Sequence, residues 1–205
     1  MLIADLKKEI VRISHLFYGR GWSLATSSNY SVRLDAGRIL ITASGKDKGR
    51  LAEEDIIEVD PAGNVTQPAN ERPSAETQLH CALYRFDMRI GAVLHTHSVF
   101  ATVLSSLRSL KTPLAIGDYE MLKAFQGVST HAHTEFLPVF ANDQDIKRLG
   151  DAVIAYLSEN RSIHGFLIAG HGLYTWGQSL QEALHHAEAC EFLLECEYRK
   201  LAIIK

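Results

Sequence analysis

Two histidines stand two residues apart at the end of an apolar run, and such a pair can bind a transition metal. Residues 91–94 form the run, and His95 and His97 follow it. Four small or apolar residues predict a strand buried on both faces, in which residues i and i+2 point to the same side. Neutral imidazole is a common ligand of Zn²⁺, and a catalytic zinc site needs three protein ligands and one open position. A third ligand must therefore come from another segment.

The third ligand is predicted to be His171, which ends a second apolar run. It lies between Gly170 and Gly172, and glycine on both sides allows a sharp turn and a close approach of substrate or metal. Two buried strands that each end in histidine would form a three-histidine site from distant parts of the chain. The alternative is that all three are ordinary hydrogen-bonded histidines at strand ends.

A second H-x-H pair, His131 and His133, competes for the metal. Its neighbours are polar and no apolar strand precedes it, so we expect a loop that lines the site or the surface. His185 and His186 are adjacent on a predicted helix and cannot share one face, which favours structural roles for both.

Three polar loops, around Asn29, Gly45 and Ser74, contain residues that can bind an anion. Small hydroxyl side chains, amides and backbone N–H groups in turns suit a phosphate, and the three loops together can surround one. The alternative is that they are simple connections. Neither a G-x-G-x-x-G motif nor a Walker lysine motif is present, so a nucleotide cofactor is not indicated.

Two carboxylates are candidates for acid/base chemistry. Ser74 can cap the helix predicted after it, with Glu76 in a first turn that the helix dipole favours, and a catalytic role for Glu76 is the equal alternative. Glu120 lies in residues 118–123, and on its own it would be interpreted as a solvated helix residue.

Length and composition predict one soluble domain, residues 1–205, with 46% hydrophobic and 22% charged residues. A formal charge of -3 and the lack of a basic run argue against nucleic-acid binding. The three cysteines fit no zinc-finger or C-x-x-C spacing, which favours a reducing compartment. Since no apolar stretch reaches membrane-spanning length and residues 1–9 lack a signal-peptide core, we expect a cytoplasmic location.

Helical and strand patterns alternate along the chain, which predicts a layered α/β domain. Residues 2–18 have the spacing of an amphipathic helix, and the last helix is predicted over residues 179–201. Asn142 is predicted to cap a helix over residues 143–157.

The order of five motifs resembles the class II aldolase/adducin superfamily across nearly the whole chain. The motifs lie at residues 28–29, 42–45, 73–76, 95–97 and 170–172. The resemblance implies a three-layer α/β/α fold with a central β-sheet and one zinc ion bound by His95, His97 and His171. It also implies a substrate phosphate site, made of residues Ser28, Asn29, Ser44, Gly45, Ser74 and Ala75. Family members often have a second hydroxyl where this chain has Ala75, which leaves the backbone N–H as the contact.

Residues 118–123 and 136–146 resemble a dehydratase branch of the superfamily, which implies loss of water from a phosphorylated ketose. In that branch the residue matching Glu120 donates and accepts protons. In the sugar-phosphate aldolases the residue matching Glu76 helps to hold the metal and then acts as acid/base. The resemblance further implies a homotetramer with sites near subunit contacts. The alternatives are a sugar-phosphate aldolase, a ribulose-phosphate 4-epimerase, and a non-catalytic interaction domain of the adducin type.

Overall fold

The computed structural model describes residues 2–68, 70–107 and 112–203. Its described residues form five α-helices. In chain order these are α1 Ile3–Gly19, α2 Thr77–Phe86, α3 Val99–Ser106, α4 Ile146–Glu159 and α5 Leu180–Ile203. Two short 3-10 helices, Glu53–Asp55 and Glu120–Ala124, interrupt the connections between strands. None of the helices in these ranges is both long and apolar enough to span a lipid bilayer.

The strands of the described ranges form one large sheet and one small one. In chain order they are β1 Asn29–Arg33, β2 Ile39–Thr42, β3 Ile56–Val59, β4 Val65–Gln67, β5 Ala92–Thr96, β6 Leu114–Gly117, β7 Thr134–Leu137, β8 Val139–Phe140, β9 Gly165–Ile168 and β10 Gly172–Gly177. The large sheet has the order β4-β3-β2-β1-β5-β10-β9-β8, while β6 and β7 pair separately. Strand β8 pairs parallel with β9, and the other neighbouring strands pair antiparallel. As a result, β5 lies at the centre, between β1 and β10.

Helices cover both faces of the large sheet, so the predicted three-layer α/β/α fold is confirmed. Alternate residues of each strand point to opposite faces, as Leu40 and Ile41 of β2 do. One face packs against α2 and α4, and the other packs against α1 and α5. The helix predicted over residues 2–18 is α1, and its buried stripe is Leu6, Ile10, Ile13 and Phe17.

Two predicted helix caps are wrong. Helix α4 begins at Ile146 and its cap is Asp145, whose carboxylate accepts a hydrogen bond from the Arg148 N–H at 3.1 Å. Asn142 does not cap it, because Asp143 accepts the N–H of Asp145 and holds the chain in a turn before the helix starts. Asn142 instead lines a cavity beside the candidate metal centre.

Ser74 likewise does not cap α2. The helix begins at Thr77, with Glu76 at the cap position. Ser74 forms a turn before it: its carbonyl accepts the Thr77 N–H at 3.0 Å, and its hydroxyl accepts the Glu76 N–H at 3.3 Å. The Glu76 side chain is therefore free to point away from the helix end.

Candidate metal centre

The structure brings together four side chains whose ligand atoms all lie within 4.8 Å of one another. They are Glu76, His95, His97 and His171. His95 lies near the end of β5, His97 follows that strand, His171 occupies the turn between β9 and β10, and Glu76 precedes α2. The three histidines expected from the sequence are therefore neighbours, and one of the two candidate carboxylates lies with them.

The turn around His171 depends on glycine at both flanking positions. Gly170 adopts a positive φ of 62°, which L side chains rarely adopt. A Cβ at Gly172 would lie 2.0 Å from the Thr96 carbonyl oxygen, because β10 and β5 are paired there. The G-H-G sequence thus holds His171 against the H-x-H segment of the neighbouring strand.

Hydrogen bonds set the direction of the ring nitrogens. The Nδ1–H of His95 donates to the Leu173 carbonyl at 2.9 Å, so its Nε2 lone pair faces the cluster. This Nε2 is 3.3 Å from Nε2 of His171. The Glu76 carboxylate approaches both rings, at 3.5 Å from His95 Nε2 and 3.1 Å from His171 Nε2.

Burial keeps two of these imidazoles in the form that binds metal. It lowers the pKa of His95 to about 4 and that of His97 to about 3. Both rings are therefore neutral at pH 7, as metal coordination requires. Burial opposes ionisation of Glu76, but the neighbouring His95, His171 and Asn29 side chains outweigh it and lower the pKa of Glu76.

The residues present fit a metal ion. Among the residues described, His97 Nε2 is buried and has no hydrogen-bond partner, although it belongs to the cluster. A buried nitrogen of this kind costs free energy unless a proton donor or a cation faces it. Three imidazole nitrogens and one carboxylate form a donor set typical of zinc and of other divalent transition metals.

The polar residues expected to bind phosphate lie partly around one cavity. It has a volume of about 250 Å³ and contacts two of the cluster residues. Its lining includes Ser44, Ser74, Ala75, Glu76, Asn142, Asp143, Gln144 and His171. Asn29 connects this cavity to the cluster, because its amide donates to the Glu76 carboxylate and, at 3.3 Å, to the Ser74 hydroxyl. Ser28 and Gly45 are not among the lining residues, but both adopt positive φ angles, of 72° and 73°.

His80, which was not predicted as a site residue, orients Asn29. Its Nε2 contacts the Asn29 side-chain oxygen, and its Nδ1 lies 2.7 Å from the Ser31 hydroxyl. Burial lowers the pKa of His80 to about 4. Its position four residues after Glu76 on a helical pattern was a signal that both side chains share one helix face.

Glu191 of α5 is a second buried group that was not predicted as a site residue. Its carboxylate accepts a hydrogen bond from the hydroxyl of Thr96, the residue between His95 and His97. Burial raises the pKa of Glu191 to about 7. Glu191 thus holds the H-x-H segment against α5.

Glu120 lies outside the cluster. It begins a short 3-10 helix, its side chain is 71% exposed, and it pairs with Lys123 at 2.5 Å. His131 of the second H-x-H segment lies 3.4 Å from it. Within one chain, Glu120 is therefore not positioned beside the metal ligands.

The second H-x-H segment is a loop, as expected. His131 is exposed, and His133 pairs with the buried carboxylate of Glu135 at 3.2 Å. Glu135 also accepts hydrogen bonds from the backbone and the ring of His164. Neither His131 nor His133 is part of the metal-binding cluster in the described part of the chain.

Fold and site together define a class of metal-binding α/β proteins. A family profile described as Class II Aldolase and Adducin N-terminal domain matches residues 8–198. The chain belongs to this family. The class II aldolase family is metal-dependent, and the Glu76, His95, His97 and His171 cluster provides ligands for a metal ion.

Two relatives have the same name, methylthioribulose-1-phosphate dehydratase. The protein from Azotobacter vinelandii is 52% identical over 200 residues, which cover 98% of this chain and 96% of the relative. The protein from Pseudomonas paraeruginosa is 52% identical over 199 residues, covering 97% and 96%. Among solved structures, L-fuculose-1-phosphate aldolase from Thermus thermophilus is similar, with a TM-score of 0.78 and 26% identity over 100% of both chains.

Proposed function

We propose that this chain is a zinc-dependent dehydratase that converts 5-methylthioribulose 1-phosphate to 2,3-diketo-5-methylthiopentyl 1-phosphate in methionine salvage. The observation that carries the proposal is the convergence of three imidazoles and Glu76 beside a polar cavity. Full-length relatives named as this dehydratase support the choice of substrate. The enzyme acts in the cytoplasm, and residues 1–205 form one domain.

His95, His97 and His171 would hold the zinc ion, with Glu76 as a further ligand or as an acid/base group. A zinc ion bound there would supply Lewis acidity toward the oxygens of a ketose. Zinc is favoured because three imidazoles with a neighbouring carboxylate form a donor set that zinc commonly takes in enzymes. The Leu173 carbonyl keeps His95 in the tautomer that this role requires.

The phosphate group binds to the polar loops next to the cavity. Ser28, Asn29, Ser44, Gly45, Ser74 and Ala75 are its proposed contacts. The positive φ angles of Ser28 and Gly45 support this role, since alternating backbone conformations direct N–H groups into a common concavity. Ala75 offers only its backbone N–H, while Asn29 links Ser74 to Glu76 and so couples the phosphate loops to the metal ligands.

Dehydration of this ketose removes a proton from C3 and expels the C4 hydroxyl as water. The resulting enol then ketonises to the 2,3-diketone, so no redox cofactor is needed. Glu120 is our first choice for the proton transfers and Glu76 our second. Because Glu120 is exposed and lies outside the cluster, we propose that it acts in the site of a neighbouring subunit in a homotetramer.

An apolar groove beside the centre supports such assembly. It has a volume of about 460 Å³ and is lined by Trp22, Met121 and Phe192 among others. Met121 and Phe192 are exposed at 37% and 46%, and the Trp22 carbonyl accepts the His97 N–H at 2.7 Å. A second subunit on this groove would therefore come close to the metal ligands.

The decisive experiment is a product assay on two substrates. Purified protein is incubated with methylthioribulose 1-phosphate and, separately, with fuculose 1-phosphate, which distinguishes dehydration from aldol cleavage. We expect the diketone from the first and no aldehyde from the second. Aldehyde formation alone would favour an aldolase, and a protein that purifies without metal and without activity would favour an adducin-type interaction domain.

The role of Glu120 is tested by Glu120→Gln. General acid/base catalysis contributes roughly 10²- to 10⁴-fold, so turnover should fall by about that factor while zinc remains bound. If Glu120 acts in trans, mixed oligomers of Glu120→Gln and His95→Ala chains regain activity, because some sites then combine an intact metal centre with an intact Glu120. Wild-type turnover in Glu120→Gln would exclude this role.

A further inference from the structure

Two lysines of the loop after β2 have opposite environments. Lys46 is partly exposed and forms ion pairs with Asp55 and Glu71, each at 3.1 Å. Lys48 is only 1% exposed. Its ammonium donates to the backbone carbonyls of Lys46 at 2.9 Å and Thr26 at 3.4 Å. Lys48 is therefore the lysine of this loop that the fold encloses.

The Lys48 ammonium is a buried charge without a carboxylate partner. Within residues 2–68, 70–107 and 112–203, no carboxylate lies at ion-pair distance from it, and two of its three N–H donors bond to carbonyls. An enclosed charge that lacks a counter-charge costs free energy. Burial accordingly lowers the pKa of Lys48 to about 8, although the charges of Asp47 and Asp55 oppose this.

The backbone of Lys48 is held as firmly as its side chain. Its N–H donates to the Ala25 carbonyl at 2.8 Å, and its carbonyl accepts the Ser14 hydroxyl of α1 at 2.8 Å. The lysine is thus fixed between the first helix and two loops before any ligand arrives. Such preorganisation is expected of a binding residue and is unnecessary for a solvated surface lysine.

The two carbonyls that Lys48 contacts belong to the loops proposed to bind phosphate. Thr26 lies two residues before Ser28, and Lys46 directly follows Gly45. An anion bound by the Ser28 and Gly45 loops would therefore interact with the positive charge of Lys48, which has no carboxylate partner among the described residues.

We propose that Lys48 is a positioning residue of the substrate phosphate site: it joins the two loops from behind and supplies the buried positive charge that balances the bound phosphate. This inference rests on the phosphate site of the proposed function. It makes Lys48, rather than the partly exposed Lys46, the cation on which recognition of the phosphorylated substrate depends.

The test compares Lys48→Met with the matched control Lys46→Met in the metal-loaded protein. Calorimetric titration with inorganic phosphate measures affinity, metal analysis measures zinc, and urea unfolding reports folding. A hydrogen-bonded charge is worth a factor of roughly 10 to 100 in affinity, so Lys48→Met should weaken phosphate binding by about that much. Lys46→Met should change it by less than about threefold, because the carboxylates of Asp55 and Glu71 already balance that lysine. Both variants should keep their zinc.

A second pair of variants separates charge from loop structure. Lys48→Gln keeps an N–H donor for the carbonyls but has no charge, and Lys48→Arg keeps the charge. We expect phosphate binding to be weak in Lys48→Gln and largely restored in Lys48→Arg, with the effect in Lys48→Gln appearing in KM rather than kcat. Equal phosphate affinity in Lys48→Gln and the wild type would overturn the inference. This comparison remains valid if Lys48→Met fails to fold.

Dehydratase assays on the same preparations distinguish this inference from the proposed function. A wild type that binds phosphate through Lys48 but does not dehydrate the ketose supports the inference and refutes the function. A wild type that dehydrates the ketose with the same KM as Lys48→Met refutes the inference and leaves the function intact. If the wild type does not bind phosphate, the phosphate site and the role of Lys48 are both excluded.

Discussion

The chain contains two H-x-H segments, and the fold uses them in opposite ways. His95 lies in the central strand of the sheet and His97 directly follows it; burial keeps both rings neutral, and the Leu173 carbonyl directs the Nε2 lone pair of His95 into the cluster. His131 and His133 lie in a loop, and His133 donates to a carboxylate buried beneath that loop. The same three-residue pattern therefore forms part of a ligand set in one place and of a hydrogen-bonded loop in the other.

The carboxylate beside each pair explains the difference. Glu76 is shared by His95 and His171 at distances of 3.5 and 3.1 Å, and His97 Nε2 still has no hydrogen-bond partner among the described residues. Glu135 is instead saturated with donors from His133 and from the backbone and ring of His164. A cluster in which acceptor atoms lack hydrogen-bond donors can bind a cation. A carboxylate whose oxygens all accept hydrogen bonds has a structural role instead.

The largest expected effect is the loss of metal from the first pair. Removing one metal-binding imidazole in His95→Ala should reduce zinc affinity by more than the roughly 10- to 100-fold that loss of an outer-shell partner typically costs. Activity should fall to background with it. Metal analysis after dialysis, together with turnover on methylthioribulose 1-phosphate, measures both effects. Full zinc occupancy in this variant would mean that the ligand set is wrong.

A smaller effect is expected at the second pair, in stability and not in metal binding. Glu135→Gln removes a buried charge that three donor groups face, and because hydrogen bonds to a charged group are the stronger ones, the free energy of unfolding should fall by about 2 kcal/mol. Urea unfolding of the variant and the wild type, both with their zinc content measured, gives this number. Zinc loss comparable to that of His95→Ala would show that the two regions are not independent.

The stability difference should also depend on pH. Burial alone would raise the pKa of Glu135, but hydrogen bonds and charge from His164 outweigh it and lower this pKa. As the pH falls, the unfolded chain therefore binds a proton at Glu135 at a higher pH than the folded chain does. The contribution of Glu135 is therefore fully present above its unfolded pKa of about 4.3, and it is lost as the pH falls through the folded-state value. The difference in the free energy of unfolding between the wild type and Glu135→Gln should therefore be constant near pH 7 and should decrease in acid.

Sequence patterns predicted what depends on neighbours along the chain. The stripe of α1, the buried strand before His95 and the loop around His131 followed from periodicity and local polarity. Whether Asn142 or Asp145 caps α4 could not be decided, since both residue types cap helices and they lie three apart. Contacts between residues distant in sequence could not be predicted either: His80 contacts Asn29 across 51 residues, and the ammonium of Lys48 contacts the Thr26 carbonyl across 22.

The smallest expected effect is at His131, a histidine of the second H-x-H segment that lies outside the metal-binding cluster. Its side chain is 58% exposed, and its contact in the described chain is with Glu120, also exposed. Surface substitutions of this kind usually change stability by less than about 0.5 kcal/mol, so His131→Ala should unfold in urea like the wild type and retain all its zinc. His95→Ala changes the same residue type in the same motif. Comparing the two variants therefore shows whether zinc binding depends on the H-x-H motif itself or on its position in the fold. A loss of zinc from His131→Ala would show that the second segment contributes to a metal site, either in its own chain or, through the contact with Glu120, in a neighbouring subunit.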